Sequence, residues 1–186
     1  MANILKITRF IAALLLIITY TACEDDDVME PTLPSYIDID VVTGLDLYDF
    51  NGAPIGRWKF PNNKPGDNHI FPNPCTDAVF VLSQQNIQKL WLVPASCFSD
   101  STTMNIPELS GNLSFSISDI EDNQIKSFEI MGATGNNIAL DLSDVAPGFY
   151  RLFIQLEDEE IYWENIYTDN SVNSFPDWSI LEEGCE

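Results

Sequence analysis

Positive charge is scarce in this chain. Eight Lys and Arg stand against 29 Asp and Glu in 186 residues, a net charge of −21 with the single histidine neutral. That balance opposes binding to nucleic acid or to an anionic lipid surface, because each approaching phosphate meets repulsion. One histidine and no C-x-x-C pair leave no ligand set for zinc, and no metal or cofactor is expected. As a general base, His69 would need a nucleophile and an orienting acid, and no motif supplies them; a surface or turn histidine is expected. A glycine-rich phosphate loop and a G-x-S-x-G elbow are also absent. The chain therefore reads as non-enzymatic. Long apolar runs are missing too. Residues 10–18 form an unbroken run of nine, less than half of the roughly 20 that a bilayer-spanning helix needs.

What the first 22 residues do contain is ordered: Lys6 and Arg9, then the apolar run, then small residues before Cys23. That is the build of a secretory signal. The sequence "YTAC" at 20–23 resembles the lipobox of bacterial lipoproteins, with Thr21 and Ala22 in fitting places before the cysteine. Glu24, Asp25, Asp26 and Asp27 follow at once and resemble the acidic signal that exports some lipoproteins to the outer face of the outer membrane. The resemblance implies cleavage before Cys23, acylation of its thiol and insertion of the acyl chains into outer-membrane lipid. Each buried CH₂ contributes about 0.8 kcal/mol, and several chains together hold a protein stably.

Residues 23–186 carry six basic side chains against all 29 acids. The length suits one domain, able to bury roughly 70% of its unfolded surface. Three cysteines remain beyond Cys23: Cys75, Cys97 and Cys185. An exported protein keeps disulfides, and three thiols allow one bridge with one left over. Cys75–Cys97 would close a loop across two neighbouring predicted strands. Cys97–Cys185 would tie down the tail. The sequence leaves both open.

Residues 23–35 are acidic with two prolines and read as a flexible tether. Residues 36–66 read as a hairpin unit and linker. In the hairpin, Leu45 and Leu47 alternate with Asp46 and Tyr48 before the turn dipeptide Asn51-Gly52. The stretch "PNNKPGDN" (61–68) is dense in Pro, Gly and Asn and reads as the linker. Residues 67–168 carry seven strand candidates, at 78–83, 87–94, 113–118, 127–130, 137–142, 149–156 and 160–168. In residues 149–156, Tyr150, Leu152, Ile154 and Leu156 share one face and Phe149, Arg151, Phe153 and Gln155 the other, the period of a half-buried antiparallel strand. No helical stripe follows the signal. Residues 95–112 form a long polar insertion, and 169–186 an acidic tail. Many short strands between turns make the chain all-β, an Ig-like antiparallel β-sandwich preceded by the small hairpin.

Two segments carry a second resemblance. "FPNPCTDAVFV" (71–81), with Phe71, Pro72, Asn73, Pro74 and Asp77, resembles the opening of the type IX secretion C-terminal sorting domain, an Ig-like β-sandwich. "LDLSDVAPGFYRLFI" (140–154), with Gly148 and Tyr150, resembles its closing motif. In "SDIEDNQI" (118–125), Asp122 and Asn123 stand where that family turns a hairpin. The resemblance implies the sandwich fold. It also implies an alternative role, a small type IX cargo with residues 70–186 as the sorting module. Against that role, 30 residues follow Leu156, and a lipidated Cys23 is already an anchor.

For binding, Trp58, Trp91, Trp163 and Trp178, with Tyr162 and Tyr167, offer a candidate platform for stacking sugars. Sandwich cores also hold tryptophan, and Trp91 and Trp163 are expected inside. "YIDIDV" alternates Asp38 and Asp40 on one face, an arrangement open to calcium ligation, though ordinary edge-strand acids are expected. "DST" (100–102) resembles a short O-glycosylation signal. The expectation is a lipid-anchored, surface-displayed outer-membrane protein that binds a glycan or protein partner.

Overall fold

The computed structural model describes residues 39–98, 113–130, 135–169 and 181. The chain divides after Ser35, and every described residue belongs to the unit Tyr36–Glu186. The fold is all-β and sandwich-like. Its strands are β1 (Val41–Val42), β2 (Gly44–Tyr48), β3 (Pro54–Lys59), β4 (Asn68–Phe71), β5 (Ala78–Ser83), β6 (Ile87–Cys97), β7 (Lys126–Glu129), β8 (Asn137–Asp141), β9 (Gly148–Leu156) and β10 (Ile161–Thr168). A short helix, α1 (Ile117–Asn123), precedes β7.

The central sheet runs β1-β6-β9-β10, with β7 also paired to β6. A three-stranded sheet, β4-β5-β8, packs on one of its faces. Alternate side chains meet between the two: Leu90 and Leu92 of β6, Leu152 and Ile154 of β9 and Ile166 of β10 face Ile70, Val79, Val81 and Leu140. The opposite face of the central sheet is covered as well. Leu45, Leu47 and Trp58 of the β2–β3 hairpin cover Phe149 and Tyr167 together with Val42 and Leu181. Ile120 of α1, with Phe115, covers Trp91, Phe153 and Trp163.

This third layer corrects the reading of residues 149–156 as half-buried. The strand is buried on both faces, and Arg151 is 0% exposed. A charge on one face of a strand signals solvent only if nothing in the fold can satisfy it. Here Arg151 Nε donates to Asn165 Oδ1 (3.1 Å), and its terminal nitrogens donate to the carbonyls of Ile39 and Val41.

The strand expected at 113–118 is absent, and α1 stands in its place. Ser116 Oγ accepts from Asp119 N–H while the Asp119 carboxylate accepts from Ser116 N–H, a reciprocal cap. The signature S-x-x-D is visible in "SISD". Asp122 and Asn123, read as a hairpin turn, form the last helical turn, where Asn123 Nδ2 donates to the Asp119 carbonyl (2.8 Å). The remaining strand readings fall within a few residues of β5, β6, β7, β8, β9 and β10.

Candidate functional site

β10 is the last strand of the central sheet, and its outer edge exposes backbone groups that a neighbouring chain could pair. Two short segments close that edge. Lys64 pairs with Trp163, N–H to carbonyl at 2.9 Å and in return at 3.3 Å. The Asn165 N–H donates to Asn63 Oδ1 (3.0 Å). Asn73 Nδ2 donates to the Asn165 carbonyl (2.9 Å), and Asn73 Oδ1 accepts from Tyr167 N–H (3.2 Å). Cys75 N–H donates to the Tyr167 carbonyl, and the Cys75 carbonyl accepts from Asp169 N–H, both at 2.9 Å. A primary amide carries the donor and acceptor of a peptide unit. Asn63 and Asn73 use theirs as pieces of a missing strand.

This assigns the "PNP" motif a place. Asn73 is fully buried, its backbone pairs with Tyr48 in both directions, and its Nδ2 also donates to the Asp46 carbonyl (2.8 Å). Pro72 and Pro74 follow cis peptide bonds on either side of it. Asp77 is exposed, and its carbonyl accepts from Leu142 N–H (2.7 Å). In the closing motif, the Tyr150 hydroxyl donates to the Ala146 carbonyl (2.7 Å), which Thr168 Oγ1 also reaches (3.1 Å). Burial pushes the Tyr150 phenol above its ordinary pKa. Gly148 opens β9 with φ 154°.

"PNNKPGDN" is therefore more than a linker. Asn62 Oδ1 accepts from Asn165 Nδ2 (2.6 Å), its Nδ2 donates to the Val41 carbonyl (2.9 Å), and its own carbonyl accepts from Trp163 Nε1 (2.8 Å). Dense asparagine reads as loop in a sequence, because the tertiary partners of each amide are not written there. Glu164 gave no sequence signal either. It is 3% exposed beside Asn63, whose Nδ2 lies 3.0 Å from Asp46 Oδ2 and 3.3 Å from Glu164 Oε2. Burial, and then the charge of Asp46, push the Glu164 carboxyl up to about 8, so it stays protonated at neutral pH. Asp46 itself pairs with Arg57 (2.6 Å). Burial pulls Arg151 down to about 9, which leaves it charged.

These groups do not assemble a reaction centre. Cys75 is a free, buried thiol that burial pushes up to about 12, too high to supply a thiolate nucleophile. His69 is exposed and meets the Tyr48 ring edge-on at 6.4 Å. Among the described residues, no three His, Cys, Asp or Glu side chains gather as metal ligands. Asp40 lies in a turn before β1 rather than on an edge strand.

The Cys75–Cys97 pairing is corrected: Cys97 is disulfide-bonded, Cys75 is not, and the partner of Cys97 lies outside the described residues. The chain folds Cys75 into the inter-sheet core, where its Sγ lies 3.6 Å from the Tyr167 carbonyl. Trp91 and Trp163 are inside, as expected, and the candidate sugar platform loses Trp58 and Tyr167 as well, because the hairpin and α1 cover the second face of the central sheet. Trp178, Asp38, the "DST" site, and Cys23 with Glu24, Asp25, Asp26 and Asp27 lie outside the described residues.

Exposed aromatic surface lies elsewhere, on the outer face of the β4-β5-β8 sheet. Phe71 and Phe80 stand opposite each other and stack at 5.7 Å with 29° between planes. Phe80 is 41% exposed. Ala139 and Leu82 flank it on that face. The hairpin turn rests on Phe71: a Cβ on Gly52, at φ +77°, would come within 3.2 Å of its ring. Phe50, in the same turn, is 62% exposed.

No protein-family model matches the chain, and no curated protein does. Among solved structures, the soluble domain of PmoD from Methylocystis sp. ATCC 49242 (Rockwell) aligns with 57% of this chain and 96% of its own, at 7% identity and a TM-score of 0.35. A likeness of that size carries no argument about function. The class the fold defines is an all-β, sandwich-like protein.

Proposed function

We propose that this is a non-enzymatic cell-envelope protein, held in the outer membrane by acyl groups on Cys23 and displayed at the surface, whose sandwich works by binding a partner. The observation that carries the binding role is the aromatic face built from Phe71, Phe80 and Leu82, beside the hairpin turn of Phe50. An exposed apolar patch on an otherwise acidic surface marks an interaction site. The charges favour a protein with a basic rim. Each of the six described Lys and Arg already meets an acid, a ring or a carbonyl. Among the described residues, three carboxylates, Asp46, Glu121 and Asp144, meet a cation in an ion pair. The test is a photo-crosslinking residue placed at Phe80, and separately at Asp158 in the β9–β10 turn, in the native host. A protein adduct at 80 and none at 158 is expected. No adduct at 80, or equal adducts at both, refutes the face.

A second reading, residues 70–186 as a type IX sorting module, draws support from the way its two resembling segments meet at β10, through Asn73 on one side and the Ala146 carbonyl on the other. Fusing residues 70–186 to an exported reporter tests it. Secretion that depends on the type IX machinery supports the module, and retention of the reporter refutes it.

A further inference from the structure

We propose that the Glu164 carboxyl is a proton lock on the outer edge of β10: protonated, it lets Asn63 and Lys64 close that edge, and its ionisation releases them while the half held by Asn73 and Cys75 stays paired. Glu164 lies on the edge strand and is 3% exposed. Two carboxyl groups from different strands, Asp46 of β2 and Glu164 of β10, share one donor, Asn63 Nδ2, at 3.0 Å and 3.3 Å. A neutral amide offers no charge to set against two buried carboxylates. The same Asn63 accepts the Asn165 N–H on its Oδ1 (3.0 Å), and Lys64 beside it pairs with Trp163 in both directions. The residue that bridges the two carboxyl groups is thus also a residue that closes the edge.

Among the described residues, the other charges around Glu164 have partners of their own. On β3, Arg57 pairs with the other oxygen of Asp46 (2.6 Å). Lys64 Nζ lies over the Tyr162 and Trp163 rings, at 5.1 Å and 5.8 Å. On β9, Arg151 spans Asn165, Ile39 and Val41. On β4, His69 meets the Tyr48 ring edge-on. Burial, and then Glu164 and Asp46, push the Tyr48 phenol up, so it stays neutral. Tyr162, on the same face of β10, donates its hydroxyl to Glu160. Losing the Glu164 proton therefore sets a second negative charge beside Asp46 with no cation to meet it. Turning the carboxylate out to water relieves that charge, and the way out displaces Asn63 and Lys64. Asn62 keeps its bonds to the Val41 carbonyl and to the Asn165 and Trp163 side chains. Release leaves the Trp163 N–H and carbonyl and the Asn165 N–H unpaired at a sheet edge, the groups that another extended chain pairs. The closed carboxyl stands at about 8, and in water it returns to about 4.3. The lock is complete below about pH 4.3 and is lost as pH rises to about 8, the open state gaining about tenfold for each pH unit between.

The experiment follows amide hydrogen exchange by NMR in the full mature chain from about pH 5 to about pH 9, corrected for the intrinsic exchange rate. In the wild type, protection of the Lys64 and Asn165 amides falls about tenfold per pH unit up to about pH 8 and then levels off. It stays below that of the β9 amides that pair with β6, which report global unfolding. In Glu164→Gln, whose side chain cannot ionise, the slope at Lys64 and Asn165 disappears. A flat wild type, or a slope that persists in the Gln variant, removes the proton from the mechanism and overturns the lock. Protection at Lys64 and Asn165 equal to that of the β9 amides makes the opening global and overturns it as well. A second readout is the side-chain ¹³C shift of Glu164, expected to titrate with a midpoint of about 8; a midpoint near about 4.3 overturns the proposal.

Discussion

Replacing Asn73 by alanine strips three backbone groups, two of them buried, of their partner at once. The Asn165 carbonyl and the Asp46 carbonyl lose a donor, and the Tyr167 N–H loses its acceptor. A buried polar group left unpaired costs about 1–3 kcal/mol. Asp46 is half-buried, so water can partly replace the lost donor there, and the sum comes to about 4 kcal/mol. Against a typical domain stability of about 5–15 kcal/mol, the variant stays folded but marginal. Urea unfolding followed by tryptophan fluorescence measures the loss, since Trp58, Trp91 and Trp163 are all buried. Native-state hydrogen exchange locates it: the Tyr167 amide loses protection while amides in the middle of β9 keep theirs at the new global limit. Asn73→Asp sharpens the test. Its carboxylate still accepts from Tyr167 N–H but faces two carbonyl oxygens, so the variant is at its weakest at neutral pH and recovers as acid protonates the group. A loss under about 1 kcal/mol in Asn73→Ala, or an unchanged Tyr167 amide, refutes the role of this side chain as a surrogate strand.

Three further perturbations test the polar seam. The folded carboxyl of Glu164 sits at about 8, above its unfolded value of about 4.3. Its contribution to stability is therefore complete below about pH 4.3 and is lost as pH rises to about 8. Glu164→Gln removes that loss, so the variant gains on the wild type across this window by on the order of 5 kcal/mol, read as unfolding free energy against pH; parallel curves would refute it. Arg151→Lys keeps the charge but not the fork that spans Asn165, Ile39 and Val41. It costs about 2–3 kcal/mol, and hydrogen exchange at the amides of residues 39–42 rises. Tyr150→Phe leaves the ring in the core and removes its bond to the Ala146 carbonyl, for a loss of about 1 kcal/mol in urea unfolding.

The same seam shows how much of the protein could be read in advance. Strand alternation was legible because one face of β5, β6, β8 and β9 meets the same inter-sheet core, and a period of two is written in the order of residues. The motif positions Asn73 and Tyr150 were legible as a resemblance to a sandwich family, though not the bonds they make. Three things were not legible. Arg151 was read on the exposed face of a half-buried strand and Glu164 gave no signal at all, and the fold buries both. "PNNKPGDN" looked like a spacer, and Asn62 and Asn63 are inside it. Trp91 and Trp163 are core, as their place in a sandwich predicts, but the burial of Trp58 and Tyr167 with them was not legible.

By itself the sequence determined the all-β class, the strand periods, the turn at Asn51-Gly52 and the acidic balance, since each depends on neighbours in the chain or on composition alone. The tertiary structure decided the rest. It put a third layer over β9 and β10, and with it moved the aromatic surface from tryptophan to Phe71 and Phe80. It freed Cys75 and bonded Cys97. It also turned asparagine amides more than 90 residues away from their partners into the edge of a sheet. The physical reason is common to all of these. A polar or aromatic side chain does not carry its own burial; that is set by what other segments bring to cover it and to satisfy its hydrogen bonds.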